Sequence, residues 1–158
     1  MKSLLILISY HHNNTEKIAN IFTKVLDAPI KTTQQVHPEE FQEYDLIGFD
    51  SGIYSAKHHQ ALLDFADSLP LIINKKAFIF STSAIMGKVK ISQDHALLRE
   101  KLQSKGYIII DEFSCEGFNT NSFLILFGRM NKNRPNTEDL KDAEEFAQNL
   151  KQICYNAC

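Results

Sequence analysis

The sequence predicts an α/β fold: a five-stranded parallel sheet, doubly wound, in the order 2-1-3-4-5, with helices on both faces. Three observations predict it. The stretch from Leu4 to Phe22 opens with an unbroken apolar run, passes through a short polar loop and resumes with apolar residues at helical spacing. The same strand-loop-helix unit recurs along the chain, as it does in parallel sheets joined by helices. The strand-like runs are continuous rather than alternating, which suits strands covered on both faces. Right-handed crossovers then put helices on both sides. Ligands in such sheets bind beyond the carboxyl ends of strands 1 and 3, where the winding reverses.

Taken in order, residues 2–8 form the first strand and residues 15–27 the first helix, with Ile18, Ile21, Phe22, Val25 and Leu26 on one face. Pro29 ends that helix, and residues 30–36 read as a more polar edge strand. Residues 38–43 are a short acidic connection, 45–50 the third strand and 51–57 a loop carrying Gly52 and Tyr54. A helix over 58–68 turns Leu62, Phe65, Ala66 and Leu69 inward. Residues 76–81 are the fourth strand, and 82–89 a second polar loop. A helix over 92–105 follows, with Leu97, Leu98 and Leu102 inward, Ser92 as its cap and Gly106 closing it. Residues 107–115 are the fifth strand. Residues 116–136 are irregular, with 122–127 as a short extra strand or arm. The last helix, over 137–153, follows Pro135, has acids in its first turn and points Leu140, Ala143, Phe146, Ala147 and Leu150 inward. With no internal repeat beyond this unit and no linker, residues 1–158 read as one domain.

The totals narrow the function. A chain of 158 residues is long enough for a sizeable core, and a formal net charge of −2 argues against a dedicated basic face for nucleic acid. The opening apolar run is too short for a membrane span or a signal-peptide core, so the expected setting is cytoplasmic, without a membrane partner. Three cysteines, Cys115, Cys154 and Cys158, do not suggest a disulfide framework, and the last two, four apart, read as residues of a frayed helix end or else as a metal pair that no His or Cys cluster completes.

Residues 9–15, Ser-Tyr-His-His-Asn-Asn-Thr, join the first strand to the first helix. Helix N-termini carry unpaired backbone N–H groups and partial positive charge, and they hold anions, most often phosphate. This loop has no Lys or Arg and no Walker pattern, so an anion would be held by backbone N–H groups, the hydroxyls of Ser9 and Thr15 and the amide of Asn14. The other reading is an ordinary turn capped by Asn and Thr. Neither His11 nor His12 has a carboxylate or Cys partner at metal-ligand spacing, and no metal is expected.

The loop over residues 9–19 resembles the phosphate loop of the flavodoxin family, and in particular a subset of short flavodoxin-like proteins with Ser-Tyr-His-His-Gly-Asn-Thr. Residues 51–59 resemble that subset's second loop, and residues 80–87 its third. Arg134-Pro-Asn-Thr-Glu-Asp-Leu resembles its C-terminal pattern. The likeness covers nearly the whole chain, with the motifs in order. It implies a three-layer flavodoxin-like sandwich with FMN at the rim. The phosphate would lie in the loop of Ser9, Tyr10, His11, His12, Asn13, Asn14 and Thr15. The ring would lie between Ser51, Gly52, Ile53 and Tyr54 on one side and Thr82, Ser83, Ala84 and Gly87 on the other. Tyr54 is the stacking residue, or else a loop tyrosine packed on the surface. Gly87 lines the site, or is a plain turn glycine.

This sequence departs from the family pattern. Asn13 stands where Gly is usual, and His11 and His12 replace hydroxyls. No Trp is present, and Lys57, His58, His59, Lys88 and Lys90 lie near the rim where acids would lower the flavin potential. The resemblance implies electron transfer through a non-covalently bound flavin, to a redox partner protein or a small acceptor, by a monomer or weak dimer. The alternative is an FMN-dependent oxidoreductase reducing a quinone or oxidising another small substrate, with residues 116–134 walling a pocket or else simply covering the sheet edge. A third reading is a flavin-free module of the same topology, such as a phosphoacceptor receiver. It lacks the acidic pair after strand 1, and Asp50 is its only suggestive match. In the first two readings the flavin carries the chemistry, and no catalytic side chain is assigned.

Overall fold

The structure, a computed structural model, describes residues 1–8, 14–83, 87–116 and 134–156, without the side chains of Asn14 and Tyr54. Its first strand is β1 (Ser3–Ile8), whose six residues are all buried. β1 pairs in parallel with the two-residue edge strand β2 (Ile30–Lys31) on one side and β3 (Leu46–Tyr54) on the other. β3 pairs in parallel with β5 (Lys75–Ser83), and β5 with β6 (Tyr107–Glu116). The order is β2-β1-β3-β5-β6. A short strand β4 (Lys57–His58) folds back antiparallel onto β3. Leaving β4 aside, the parallel strands run 2-1-3-4-5, as expected.

The departures have local causes. The second strand stops at Lys31 because Thr32 and Gln35 close a turn, Thr32 N–H donating to the Gln35 side chain and Gln35 N–H to the Thr32 carbonyl. Residues 38–43 form a 3₁₀ turn that buries Phe41. The expected loop over 51–57 is a hairpin. β3 runs on to Tyr54, and Ser55 and Ala56 turn the chain with φ of 51° and 62°. Two successive positive φ angles are those of the two-residue turn whose twist matches paired strands.

Among the described residues four helices cover the sheet: α1 (Asn14–Leu26), α2 (Gln60–Ser68), α3 (Lys88–Ser104) and α4 (Thr137–Asn156). α2 starts two residues later than expected, with the His59 ring accepting from Ala61 N–H as its cap. α3 starts four residues earlier. Ser92 lies inside it, and Gly87, at φ 144°, is its cap. The buried stripe of α3 is Asp94, His95, Leu98 and Leu102, while Leu97 is 39% exposed. Two polar residues on the inner face hid the stripe from an apolar-spacing argument. Gly106 does close α3: at φ 91°, a Cβ there would lie 1.7 Å from the Ile72 carbonyl oxygen.

Alternation along the strands divides the core in two. Ile6, Ile47, Phe49 and Ile79 pack under α2 and α3 with Leu62, Leu98 and Leu102. Leu5, Leu7, Phe78 and Phe80 pack under α1 and α4 with Ile18, Phe22 and Ala147. Cys154 belongs to this second layer, buried against it within α4, rather than to a frayed end. The possible strand over residues 122–127 lies outside the described residues.

Candidate functional site

The carboxyl ends of the parallel strands meet the start of α1 at one edge of the sheet. Thr15, in the first turn of α1, and Thr82, near the end of β5, are both buried, and their hydroxyls hydrogen-bond at 3.0 Å. The bond joins the first and third expected binding segments. β3 lies between β1 and β5, so the start of α1 sits over the point where the winding reverses.

On the α2/α3 face this edge carries a row of serines. Ser51, Ser81 and Ser114 are in register on β3, β5 and β6. The Ser51 hydroxyl oxygen accepts from His59 N–H at 2.9 Å and meets the Gly52 carbonyl and His58 Nδ1 at 3.0 Å each. A carbonyl only accepts, so all three bonds form at once when Ser51 donates to Gly52 and His58 Nδ1–H donates to Ser51. His58 Nε2, buried, is then left without a partner among the described residues. Burial first, then the neighbouring His95, pushes His58 well below its ordinary pKa. The two imidazoles lie 5.0 Å apart.

His95 is fully buried and spans two partners: Nε2 meets the Ser81 hydroxyl at 2.8 Å, and Nδ1 meets Glu112 at 3.1 Å. Arg99 grips the same carboxylate with two N–H groups, at 2.5 and 2.8 Å. Burial pushes Glu112 up, but hydrogen bonds from Arg99 and His95 outweigh it and hold the pKa at about 2. The Glu112–His95–Ser81 chain has the connectivity of an acyl-transfer triad. The Ser81 hydroxyl is already bonded to both His95 Nε2 and the Ser114 hydroxyl, so the chain is read as a structural network.

The α1/α4 face carries a different polar group. Asp50 stands in register between Leu7 and Phe80, is 0% exposed, and among the described residues neither carboxyl oxygen has a side-chain hydrogen-bond partner. Burial pushes its pKa well above the ordinary carboxylate range, against a smaller opposing contribution from the Ser51 backbone. On the same face of the sheet, two strands away on β6, the buried Cys115 thiol is pushed up by burial first and then by Asp139 and Asp50. Arg134 bridges Glu116 and Asp139 at 3.2 and 2.6 Å, tying the end of β6 to the first turn of α4.

Of the residues singled out from the sequence, Thr15, Ser51, Gly52, Ile53, Thr82 and Ser83 lie on the carboxyl ends of β3 and β5 or at the start of α1. Asn14 begins α1 and Tyr54 ends β3. Gly87, exposed, caps α3. Ser9, Tyr10, His11, His12, Asn13 and Ala84 lie outside the described residues. His58 is not a rim charge, being buried, and Lys90 is paired with Asp94 one turn on. Sequence reasoning missed His95, Ser81 and Glu112 and did not place Asp50 in the site. The signal for Asp50 was there: a carboxylate closing an apolar strand, where the next inward position is Gly52.

Among the described residues no group of three His, Cys, Asp or Glu could hold a metal ion, and no helix is long and apolar enough to cross a membrane.

No family model matches the chain. Its fold is that of solved flavodoxins. It is similar to a flavodoxin from the domain Archaea (TM-score 0.70, 14% identity, 98% of this chain and 99% of that one). It is similar to oxidised Flavodoxin 2 from Bacillus cereus (0.70, 17%, 97% and 99%). A Fusobacterium nucleatum flavodoxin bound to flavin mononucleotide also shares the fold (0.65, 12%, 97% and 99%). In sequence the chain is 47% identical over 150 residues to the uncharacterized protein MJ0298 of Methanocaldococcus jannaschii, covering 95% of this chain and 98% of that one. On that likeness the chain belongs to the same family as MJ0298, and it is built on the flavodoxin-like fold.

Proposed function

We propose that this protein binds flavin mononucleotide non-covalently at the carboxyl edge of its sheet and passes electrons through it, to a redox partner protein or a small-molecule acceptor, in the cytoplasm. One observation carries the reading: the Thr15–Thr82 bond at the switch point, which sets the first turn of α1 beside the ends of β3 and β5.

The residues present fit the group. A phosphate at the start of α1 would meet hydroxyls and backbone N–H groups. The charged side chains of that first turn, Glu16 and Lys17, are exposed and opposite in sign. Asp50 lies below the edge in a setting that favours its neutral form, so it does not oppose an anion. In this reading residues 9–15 hold the phosphate. Gly52, Ile53 and Tyr54 take one side of the ring, and Thr82, Ser83, Ala84 and Gly87 the other. The Ser51 hydroxyl fixes the direction of the Gly52 carbonyl. The flavin supplies the redox chemistry, and the chain binds and orients it.

The test is optical. The purified protein is expected to be yellow and to release FMN on heating, and its apoprotein to quench FMN fluorescence. A colourless protein indifferent to added FMN overturns the reading. Steady turnover with NAD(P)H and a quinone, rather than simple reduction, would mark an enzyme rather than a carrier.

A further inference from the structure

We propose that Asp50 is a ligand-binding group of this edge, donating a hydrogen bond from its COOH form to an oxygen of a phosphorylated, polyhydroxylated ligand seated against the first turn of α1. The nature of the ligand rests on the flavin reading. The assignment of Asp50 rests on geometry.

Buried polar groups in folded proteins are almost always hydrogen-bonded, because leaving one bare in an apolar setting is costly. Among the described residues no side chain bonds either Asp50 oxygen, the Ser51 backbone offers only a weak polar contact, and the group is 0% exposed. Its neighbours across the sheet, Leu7 and Phe80, are apolar and belong to the layer beneath α1 and α4. The layer around it is apolar, and packing alone does not call for a carboxyl there. The group is an acid with a vacant donor and acceptor, and it sits at the place where the fold collects ligands.

Its position relative to α1 follows from the register. Thr82 lies two residues beyond Phe80, the register partner of Asp50, so the two share a face. Strand spacing and rise put their Cα atoms roughly 8 Å apart. Thr82 is bonded in turn to Thr15 in the first turn of α1. The next position along β3 on this face is Gly52, which has no side chain to stand over the carboxyl. Asp50, Thr82 and Thr15 thus form a line of oxygen groups from the floor of the sheet to the helix start. The unpaired Nε2 of His58 lies on the other face, beside Ser51 and His95, and is no part of this line.

The chemistry selects a donor. The N-terminus of α1 favours anions, and an ionised carboxylate would repel one. A protonated carboxyl instead offers its hydrogen to a phosphoryl or hydroxyl oxygen and still accepts through its carbonyl oxygen.

The experiment compares the full-length protein with Asp50→Asn, which keeps a donor, and Asp50→Leu, which removes it. FMN binding to each apoprotein is read by fluorescence quenching, and response to inorganic phosphate by thermal shift. Asp50→Asn is expected to bind FMN within about threefold of wild type and Asp50→Leu at least about tenfold more weakly, the scale of one hydrogen bond to a charged group. Without ligand, Asp50→Leu is expected to melt no lower than wild type, and Asp50→Ala replaces it if leucine does not fit. Equal FMN binding by wild type and the donor-less variant overturns the proposal. Equal weakening in Asp50→Asn and Asp50→Leu also overturns it, since the carboxylate would then be acting as an acceptor. If wild type ignores FMN, the flavin reading fails, and phosphate decides on Asp50. Stabilisation of wild type and Asp50→Asn but not Asp50→Leu upholds the assignment, and no response in wild type overturns it.

Discussion

Thr15 and Thr82, 67 residues apart in sequence, close the carboxyl edge with one buried hydroxyl–hydroxyl bond of 3.0 Å. Thr15→Val or Thr82→Val alone strands the other hydroxyl and is expected to cost about 1–3 kcal/mol of stability. The double variant removes both polar groups and is expected to cost less than the sum of the two. Urea unfolding of the four proteins measures the coupling. Additive losses would mean that the bond contributes nothing.

Glu112 holds His95 and Arg99 together from β6. Glu112→Gln leaves a partly buried guanidinium without its counter-charge and is expected to destabilise by about 1–3 kcal/mol, the range for hydrogen bonds to charged groups. Wild-type Glu112, with its pKa lowered to about 2, contributes stability present above the ordinary glutamate value and lost as pH falls toward 2. In Glu112→Gln the acid limb of the stability profile between pH 4.5 and 2 should flatten correspondingly.

Ser55 and Ala56 hold left-handed angles that cost a residue with a Cβ. Asn and Gly are the residues that suit this turn. Ser55→Asn with Ala56→Gly is expected to raise stability by about 0.5–1 kcal/mol, seen as a higher melting temperature. An unchanged or lower one would contradict the assigned turn.

His58 is buried in its neutral form, with its folded pKa well below the unfolded 6.5. The unfolded chain therefore takes up a proton that the folded one refuses, and stability falls as pH drops below about 6.5. His58→Phe removes that proton, so its stability should fall less steeply between pH 6.5 and 5. The limiting slope of the wild-type term is about 1.4 kcal/mol per pH unit. Parallel profiles for the two proteins would exclude His58 as the source.

Much of this architecture was legible because the strands are apolar throughout. A run such as residues 4–8 has one reading, and the glycines and prolines mark where the chain turns. What escaped was polar and buried. α3 hid its stripe behind Asp94 and His95, so Leu97 looked inward when it faces solvent. The second segment looked like a loop because Ser-Gly-Ile-Tyr-Ser is poor in strand formers. Its pairing depends on Lys57 and His58 returning to β3, a contact that local spacing does not reveal. Thr15 and Thr82 were each chosen for the ligand, but only the fold shows that they touch.

The sheet carries a buried acid on one face and a buried base on the other. Asp50, with its folded pKa raised by burial, makes stability fall as pH rises from the unfolded carboxylate value toward the folded one. His58 has the opposite sign and contributes stability that grows over the upper part of the same interval. Where the two titration ranges overlap, the two slopes oppose each other. The protein therefore has two opposed titrations one residue apart in β3, at Asp50 itself and at Ser51, where His58 is anchored. In that range a change in pH alters its overall stability less than it alters that of a chain lacking either group.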